Sequence, residues 1–127
     1  MAFVGLRLAF CVLQQHLLGM TLLQKRDLAR QQRRLDVFAE TRRRLQSALR
    51  ELIPGQRVIL FGSLTRPGVF NDRSDVDLAL EAEPVQMSAE RLISELMERL
   101  ERPVDVLLLD RCSFREKILR EGEVWTA

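Results

Sequence analysis

Two short segments decide the fold of this chain: Arg57-Val58-Ile59-Leu60-Phe61-Gly62-Ser63 and Ser74-Asp75-Val76-Asp77-Leu78-Ala79-Leu80. The first is an apolar run ended by a Gly-Ser pair, which predicts a buried strand followed by a turn. The second alternates with a period of two, which predicts a strand that carries both aspartates on one face. We therefore expect two strands of one sheet, the first ended by a Gly-Ser turn and the second carrying a pair of carboxylates.

The segments after this pair alternate between helix and strand. Residues 88–101 carry apolar side chains at helical spacing, and Ser88 is expected to cap the helix. Pro103 precedes a third apolar strand at 104–109, which only Asp105 interrupts. Residues 114–120 predict a last helix with a glycine stop at Gly122. The predicted order from residue 57 is strand, loop, strand, helix, strand, helix.

The N-terminal part of the chain is predicted to be helical. Residues 22–52 form one amphipathic pattern that Pro54-Gly55 ends. Between Phe3 and Met20, apolar residues recur every three or four positions, which favours a helix packed against another helix of this chain or of another subunit. We expect an N-terminal helical extension at 1–55 and a second domain at 56–127.

Charge is distributed unevenly between these two parts. Residues 24–50 contain nine basic and three acidic residues, a net charge of +6, whereas residues 51–127 have a net charge of −5. The arginines of the helical part face either solvent or a binding partner. Nucleic acid is the less favoured partner, because the exposed face lacks aromatic residues that would stack on bases. The arginines of the helical part considered for these roles are Arg30, Arg33, Arg34, Arg42, Arg43 and Arg44.

Length and composition narrow the class of protein. A chain of 127 residues with 46% apolar and 30% charged residues is long enough for one compact domain with an appended helical segment. Cys11 and Cys112 lie far apart without disulfide or metal-site spacing, which favours a reducing compartment. Polar residues interrupt the apolar N-terminus, so we expect neither a membrane span nor a signal peptide. The predicted location is cytoplasmic.

The acidic residues of the predicted strands are the first candidates for chemistry. Asp75 and Asp77 would project side by side, and at about 4 Å two carboxylates repel by about 4 kcal/mol at an effective dielectric constant of 20. Asp105 adds a third acid to the same sheet, in a strand where an unpaired charge is costly. A hard divalent cation would reverse the repulsion. Oxygen ligands favour Mg²⁺ or Mn²⁺ over zinc, and substrate phosphates commonly complete such sites.

The Gly-Ser turn is the candidate phosphate site. Gly62 allows a ligand to approach the backbone, Ser63 offers a hydroxyl and an N–H, and Arg66 can add a positive charge. Neither the Gly-Ser pair nor the Asp-x-Asp pair is specific alone. Their order along the chain, with a third acid in a later strand, is more specific.

These segments resemble the minimal nucleotidyltransferases, small members of the DNA polymerase β-like superfamily. The resemblance rests on Phe61-Gly62-Ser63-Leu64-Thr65-Arg66, on Ser74-Asp75-Val76-Asp77-Leu78, and on a tail of helix, Glu-Gly and an aromatic residue that ends at Trp125. It covers residues 57–125. The chain departs from the family at Pro67, where a glycine is common, and Gly68 follows it.

The resemblance implies an α+β fold with a mixed β-sheet, and it implies roles for six residues. Asp75 and Asp77 would hold two Mg²⁺ ions, Asp105 would be the third ligand and the base, and Gly62, Ser63 and Arg66 would bind the nucleotide. The reaction implied is attack of a hydroxyl on the α-phosphorus of ATP with loss of pyrophosphate. Many such proteins are antitoxins that add AMP to a tyrosine of a HEPN toxin encoded nearby.

Two other functions remain open from the sequence. The chain could neutralise its partner by binding alone, or it could modify a small molecule, as aminoglycoside-type nucleotidyltransferases do. The second alternative needs an acceptor-binding domain, which dimerisation through the N-terminal helices could supply. A hetero-oligomer with the toxin is the other assembly that these helices could form.

Overall fold

The described part of the chain, residues 19–127 of a computed structural model, starts with a long helix, α1 (Leu22–Leu52). Thr21 caps it: its Oγ1 accepts from the backbone N–H of Gln24 at 3.2 Å, and Gln24 Oε1 accepts from the N–H of Thr21 at 2.9 Å. The helix predicted over 22–52 is thereby confirmed. The helix predicted between Phe3 and Met20 lies outside the described residues, apart from its last two.

Contacts divide the chain into two units, Met1–Arg33 and Arg34–Ala127. The second unit contains residues 34–52 of α1 and all elements that follow. It is the unit that carries the candidate site. The predicted division into an extension at 1–55 and a domain at 56–127 stays a prediction.

Four strands form a mixed sheet within the described residues, and their order is β3-β2-β1-β4. The central strand β1 pairs antiparallel with β2 and with β4, and β2 pairs parallel with β3. Parallel neighbours need a crossover, which α2 (Ala89–Leu100) supplies. The α+β class with a mixed sheet is therefore confirmed. The strands are β1 (Arg57–Phe61), β2 (Val76–Leu80), β3 (Val104–Leu108) and β4 (Glu123–Thr126).

One face of the sheet is covered by α2 and by the C-terminal part of α1. The two helices are joined by an ion pair between Arg99 and Glu51. As predicted, Ser88 caps α2, and its hydroxyl accepts from the N–H of Arg91 at 3.2 Å. The side chains between these helices and the sheet form the main core, with Leu45, Leu49, Leu60, Leu78, Leu92 and Leu96 fully buried.

The other face of the sheet carries a much smaller cover, the short helix α3 (Arg115–Glu121). Ile118 of α3 packs on Ile59 and Ala79, together with Leu109. Because side chains alternate along a strand, Phe61, Asp77, Asp105 and Leu107 belong to this face as well. Seven helical residues cannot cover a four-stranded sheet, and part of this face stays open to solvent.

The last strand, β4, corrects the sequence prediction, which has no strand after the final helix. β4 extends the sheet on the free side of β1, with Val58 opposite Trp125 and Ile59 opposite Val124. The glycine stop is also different from the expected one. Gly122 has an extended backbone, with φ −78°. An added Cβ at Gly122 would lie 2.4 Å from Ile59 Cγ2, so the position needs glycine for close packing.

Candidate active site

Strand register brings Asp77 and Asp105 together. In the parallel pair β2–β3 these two residues are direct partners, and Phe61 of β1 is the partner of Asp77 on the other side. One row across the sheet therefore reads Asp105, Asp77, Phe61, all on the face that α3 leaves partly open. Asp105 is exposed and Asp77 is half-buried. Both carboxylates can be reached from solvent on the same side of the protein.

Gly62 lies directly against the carboxylate of Asp77. Its φ of 76° is in the left-handed region, and an added Cβ would lie 2.5 Å from Asp77 Oδ2. Glycine is therefore required for two independent reasons, backbone conformation and space. A carboxylate oxygen of Asp77 thus lies against the backbone of the turn after β1.

Asp77 has an unusual electrostatic environment. Burial raises its pKa above the ordinary value, and the nearby charges of Asp105 and Asp75 raise it further. None of the ion pairs and side-chain hydrogen bonds within residues 19–127 involves these three carboxylates. Arg102 interacts electrostatically with Asp75. Asp77 and Asp105 repel each other, and a bound cation would reverse the sign of that interaction.

The donor set can be tested against a hard divalent cation. Adjacent carboxylate oxygens are the ligands that Mg²⁺ uses, usually one or two from the protein together with phosphates of the substrate. The carboxylates of Asp77 and Asp105 are ligands of the chemical kind that Mg²⁺ prefers. Among the described residues, however, no three His, Cys, Asp or Glu side chains are grouped closely enough to hold a metal ion by themselves. The sequence-predicted set of Asp75, Asp77 and Asp105 is thus close in space, but it is not a preformed three-ligand cluster.

The turn after β1 is a short 3-10 helix at Gly62–Thr65. Thr65 Oγ1 donates to the carbonyl oxygen of Gly62 at 2.7 Å, and the N–H of Arg66 donates to the carbonyl oxygen of Ser63 at 3.0 Å. Ser63 is half-buried within the turn, whereas Arg66 is exposed at its end. The three predicted nucleotide-binding residues therefore belong to one hydrogen-bonded turn beside the acids.

Arg102 supports the loop that leads to the acids. One guanidinium nitrogen, Nη1, donates to the carbonyl oxygens of Asn71 at 3.1 Å and of Ser74 at 2.9 Å. The guanidinium also stacks on the buried ring of Phe70, 4.5 Å from the ring centroid. Ser74 directly precedes Asp75, so Arg102 fixes the start of the acidic segment. Its contacts join residues 28 and 31 positions apart, and no local sequence pattern indicates them.

Arg42 supports the other half of the site, the turn after β1. Its Nη1 donates to the carbonyl oxygen of Leu64 at 2.9 Å, and the guanidinium binds both carboxylate oxygens of Glu123, at 2.9 and 2.6 Å. The hydrogen bonds from Arg42 hold the pKa of Glu123 below its usual range.

Arg42 is also held by two aromatic rings. Its guanidinium lies 5.1 Å from the ring centroid of Phe38 and 5.0 Å from that of Trp125. The sequence alternatives for this arginine, solvent or a binding partner, are both wrong, because Arg42 binds within the chain. Arg43 and Arg44 pair with Glu40 on the same helix. No local pattern in the sequence indicates this role of Arg42, because its partners lie 22 and 81 residues away.

A cavity of about 440 Å³ opens beside Gly62 on the open face of the sheet. Apolar side chains from β1, β3 and the α3 region form most of its wall, and Arg66 and Lys117 bring two positive charges. Its lining residues are Phe61, Gly62, Thr65, Arg66, Leu107, Phe114, Lys117, Ile118 and Glu121. The site therefore consists of an acidic row, a glycine turn and an adjoining pocket.

Comparison with known proteins agrees with this geometry. A model of the family described as Polymerase beta, Nucleotidyltransferase matches residues 43–126. Among solved structures, a chain from "Crystal structure of the toxin-antitoxin with AMP-PNP" is similar, with a TM-score of 0.52 and 25% sequence identity. The alignment covers 67% of this chain and 73% of that chain. No curated protein matches the sequence. Within residues 19–127, no helix is both long and apolar enough to cross a membrane.

Proposed function

The chain belongs to the polymerase β nucleotidyltransferase family, and from this premise we propose that it transfers AMP from ATP to a hydroxyl group of a partner protein. The observation that carries the proposal is the row of Asp105 and Asp77 against the Gly62 turn. Asp75 adds a third carboxylate close enough to raise the pKa of Asp77. Phosphoryl transfer depends on positioning and charge neutralisation. The turn would position the phosphates, and a divalent cation held by the acids would neutralise their charge.

In the proposed reaction, the acceptor oxygen forms a bond to the α-phosphorus of ATP. The bond from that phosphorus to the bridging oxygen breaks, and pyrophosphate leaves. The proton of the acceptor hydroxyl goes to the carboxylate of Asp105, which is suited to this role because it is exposed and lies beside Asp77.

The turn residues bind the phosphates in this proposal. The missing side chain at Gly62 lets an anionic group approach the backbone, and Ser63 contributes its hydroxyl and N–H. Arg66 is exposed at the end of the turn, where its positive charge can meet the β- or γ-phosphate.

Asp75, Asp77 and Asp105 would hold the divalent cation together with the substrate. Mg²⁺, or Mn²⁺ in its place, supplies charge neutralisation on the phosphates and on the crowded carboxylates when bound. The raised pKa of Asp77 supports this assignment, because a nearby cation would favour its ionised form.

We propose that the acceptor is a tyrosine of a HEPN-type toxin and that the chain acts as its antitoxin. Two observations support this. The similar solved structure is a toxin-antitoxin with AMP-PNP, an analogue of ATP. The acids and the cavity lie on the face of the sheet that α3 leaves partly open, where an acceptor as large as a protein would reach them from outside.

Co-expression tests the proposal against neutralisation by binding alone. The toxin encoded beside this chain would be expressed with wild type, with Asp75→Asn/Asp77→Asn, or with Glu98→Gln, and growth and complex formation would be measured. Glu98 is an exposed acid on α2, on the covered side of the sheet, and serves as the matched control.

We expect growth with wild type and with Glu98→Gln, and growth arrest with the double variant despite an intact complex. Growth with the double variant would show that binding alone neutralises the toxin. Pyrophosphate release with ATP and an aminoglycoside, in the absence of any partner protein, would instead favour the small-molecule function.

A further inference from the structure

We propose that Arg102 is a positioning residue for the proposed nucleotidyl transfer. Its guanidinium holds the loop at residues 71–74 so that Asp75, which follows the loop, can bind the same divalent cation as Asp77. This role rests on the proposed function and extends it to a residue that belongs neither to the acids nor to the turn after β1. Arg102 acts on the site through the backbone of the loop.

Asp75 is the one carboxylate of the three that strand pairing does not place. β2 begins one residue later, at Val76, and Asp75 is absent from the residue pairs that join β2 to β1 and to β3. Asp77 and Asp105, in contrast, are direct strand partners. The position of Asp75 beside them therefore depends on the loop that precedes β2.

Hydrogen bonds within this loop give it a defined shape. The backbone N–H of Asn71 donates to Ser74 Oγ at 3.0 Å, and the N–H of Ser74 donates to the carbonyl oxygen of Asn71 at 3.1 Å. Asn71 Oδ1 also accepts from the N–H of Arg73 at 2.9 Å. These bonds join residues of the loop to each other, so the placement of the loop against the sheet needs a contact from outside.

Arg102 supplies a contact from outside the loop. It lies between α2 and β3, and its Nη1 donates to the carbonyl oxygens of Asn71 and Ser74, the two ends of the loop. The guanidinium itself is held by stacking on Phe70, whose ring is fully buried. A planar guanidinium fixed on a buried ring can hold both carbonyl oxygens with little loss of side-chain entropy.

The segment that contains Arg102 also leads to the third acid. Pro103 follows Arg102 directly, and its carbonyl oxygen accepts from the backbone N–H of Val76 at 3.0 Å. β3 begins at the next residue and carries Asp105. Arg102 therefore connects the loop before Asp75 to the strand that carries Asp105.

The charge of Arg102 supports the same role. Burial lowers the pKa of its guanidinium, whereas the nearby charges of Asp72 and Asp75 raise it. Arg102 thus attracts Asp75 through charge, while the hydrogen bonds from its Nη1 go to carbonyl oxygens. The carboxylate of Asp75 stays available to a metal ion, since it takes part in no ion pair or side-chain hydrogen bond within residues 19–127.

Binding of α,β-methylene ATP tests this role, because this analogue of ATP cannot release pyrophosphate. Its affinity would be measured by calorimetric titration in the presence of Mg²⁺. The variants are Arg102→Met, Arg102→Lys, Asp75→Asn and the double variant Arg102→Met/Asp75→Asn. Methionine keeps an unbranched apolar side chain beside Phe70 but donates no hydrogen bond.

Arg99→Met is the matched control. Arg99 is on α2, three residues before Arg102, and its guanidinium pairs with Glu51 of α1. This variant therefore loses an arginine and an ion pair on the covered side of the sheet. A thermal melt of every variant shows whether it folds. If Arg102→Met does not fold, Arg102→Lys takes its place in the double variant.

We expect Arg102→Met and Asp75→Asn each to weaken binding of the analogue roughly 10- to 100-fold, the range for groups that orient a metal ligand. The double variant should bind no more weakly than the weaker single variant, because Arg102 acts through Asp75. Arg102→Lys should lie between wild type and Arg102→Met, since an ammonium group can still donate to a carbonyl oxygen. Arg99→Met should bind the analogue like wild type.

The possible failures are distinguishable. If the losses of the two single variants add in the double variant, Arg102 acts independently of Asp75 and the inference is wrong. If Arg102→Met binds the analogue as wild type does, Arg102 does not position the site. In both cases the proposed transfer reaction is unaffected. If wild type does not bind the analogue in the presence of Mg²⁺, the proposed function itself fails.

Discussion

At the scale of single residues, Asp77 is the most informative position. Its pKa is raised by burial, by Asp105 and by Asp75. A carboxyl whose pKa is higher in the folded than in the unfolded protein contributes stability at low pH. That contribution is lost as the pH rises through the folded-state value. The ionised carboxylate therefore opposes folding at neutral pH when no cation is bound.

We predict that Asp77→Asn raises the melting temperature at pH 7 in the absence of divalent cations. Because Asp77 is only partly buried, solvent screens the repulsion, and the rise in melting temperature should be small but measurable. The gain should shrink as the pH falls toward the ordinary aspartate pKa of 3.8. Thermal melts between pH 4 and pH 8 measure it, with Glu98→Gln as control. An equal or lower melting temperature at every pH would contradict this account of the acids.

Gly62 allows the effect of backbone strain to be separated from the effect of contact with the Asp77 carboxylate. Gly62 and Gly55 have nearly the same φ, 76° and 78°, but only the Cβ of an alanine at residue 62 would meet a side chain, that of Asp77. We predict that both alanine variants lose about 1–2 kcal/mol of stability from the left-handed backbone. Only Gly62→Ala should also lose AMP transfer, by at least tenfold, because it displaces the Asp77 carboxylate. Comparable activity of the two variants would argue against that contact.

Arg42 is expected to position the nucleotide turn through Leu64. Arg42→Lys keeps the charge but cannot bind Leu64 and both oxygens of Glu123 at once. We predict a higher KM for ATP with a smaller change in kcat, and a loss of about 1–2 kcal/mol in stability. Arg43→Lys is the control, because Arg43 forms its ion pair with Glu40 on the same helix. Steady-state kinetics measure both constants. A KM for ATP equal to that of wild type would show that Arg42 does not position the nucleotide turn.

The sequence predicts the acids and the Gly-Ser turn because their order along the chain is local and specific. The roles of Arg42 and Arg102 could not be predicted, because their contacts are not local in the sequence. Their guanidinium groups bind carbonyl oxygens 22 to 31 residues away. Side chains that act on distant backbone leave no periodic pattern in the sequence.

At the scale of elements, caps and periodicity predict most of the helices and strands. The alternation from Asp75, the Ser88 cap and the Pro54-Gly55 stop all correspond to observed element ends within one or two residues. β4 is different, because it has four residues and pairs with a strand about 65 positions earlier. Short strands are defined by the partner that they meet, and their own sequence carries a weak signal.

Gly122 joins α3 to β4, and its substitution tests how tightly they pack. An alanine Cβ there would lie 2.4 Å from Ile59 Cγ2 and 2.5 Å from the carbonyl oxygen of Ile118. We predict that Gly122→Ala costs about 1–3 kcal/mol, since the backbone carbonyl cannot move away cheaply. Chemical denaturation measures the loss. Gly68→Ala, where nothing lies within 4 Å, should lose only the cost of its left-handed backbone. A Gly122→Ala variant as stable as wild type would contradict the packing argument.

At the scale of the whole molecule, the two faces of the sheet differ in how far they are buried. One face is buried under α2 and the C-terminal part of α1 and provides the main core. The other carries the acids, the glycine turn and the cavity, under the short cover of α3. The buried side thus positions strands whose opposite side chains stay accessible to solvent, where the proposed nucleotide and acceptor would bind.

Intact-mass spectrometry of the partner protein tests the central claim most directly. The toxin would be incubated with MgATP and with wild type, Asp75→Asn/Asp77→Asn or Glu98→Gln. The account predicts one or more whole AMP increments on the toxin with wild type and with Glu98→Gln, and none with the double variant. An unmodified toxin in a stable complex with wild type, or AMP increments that persist in the double variant, would contradict it.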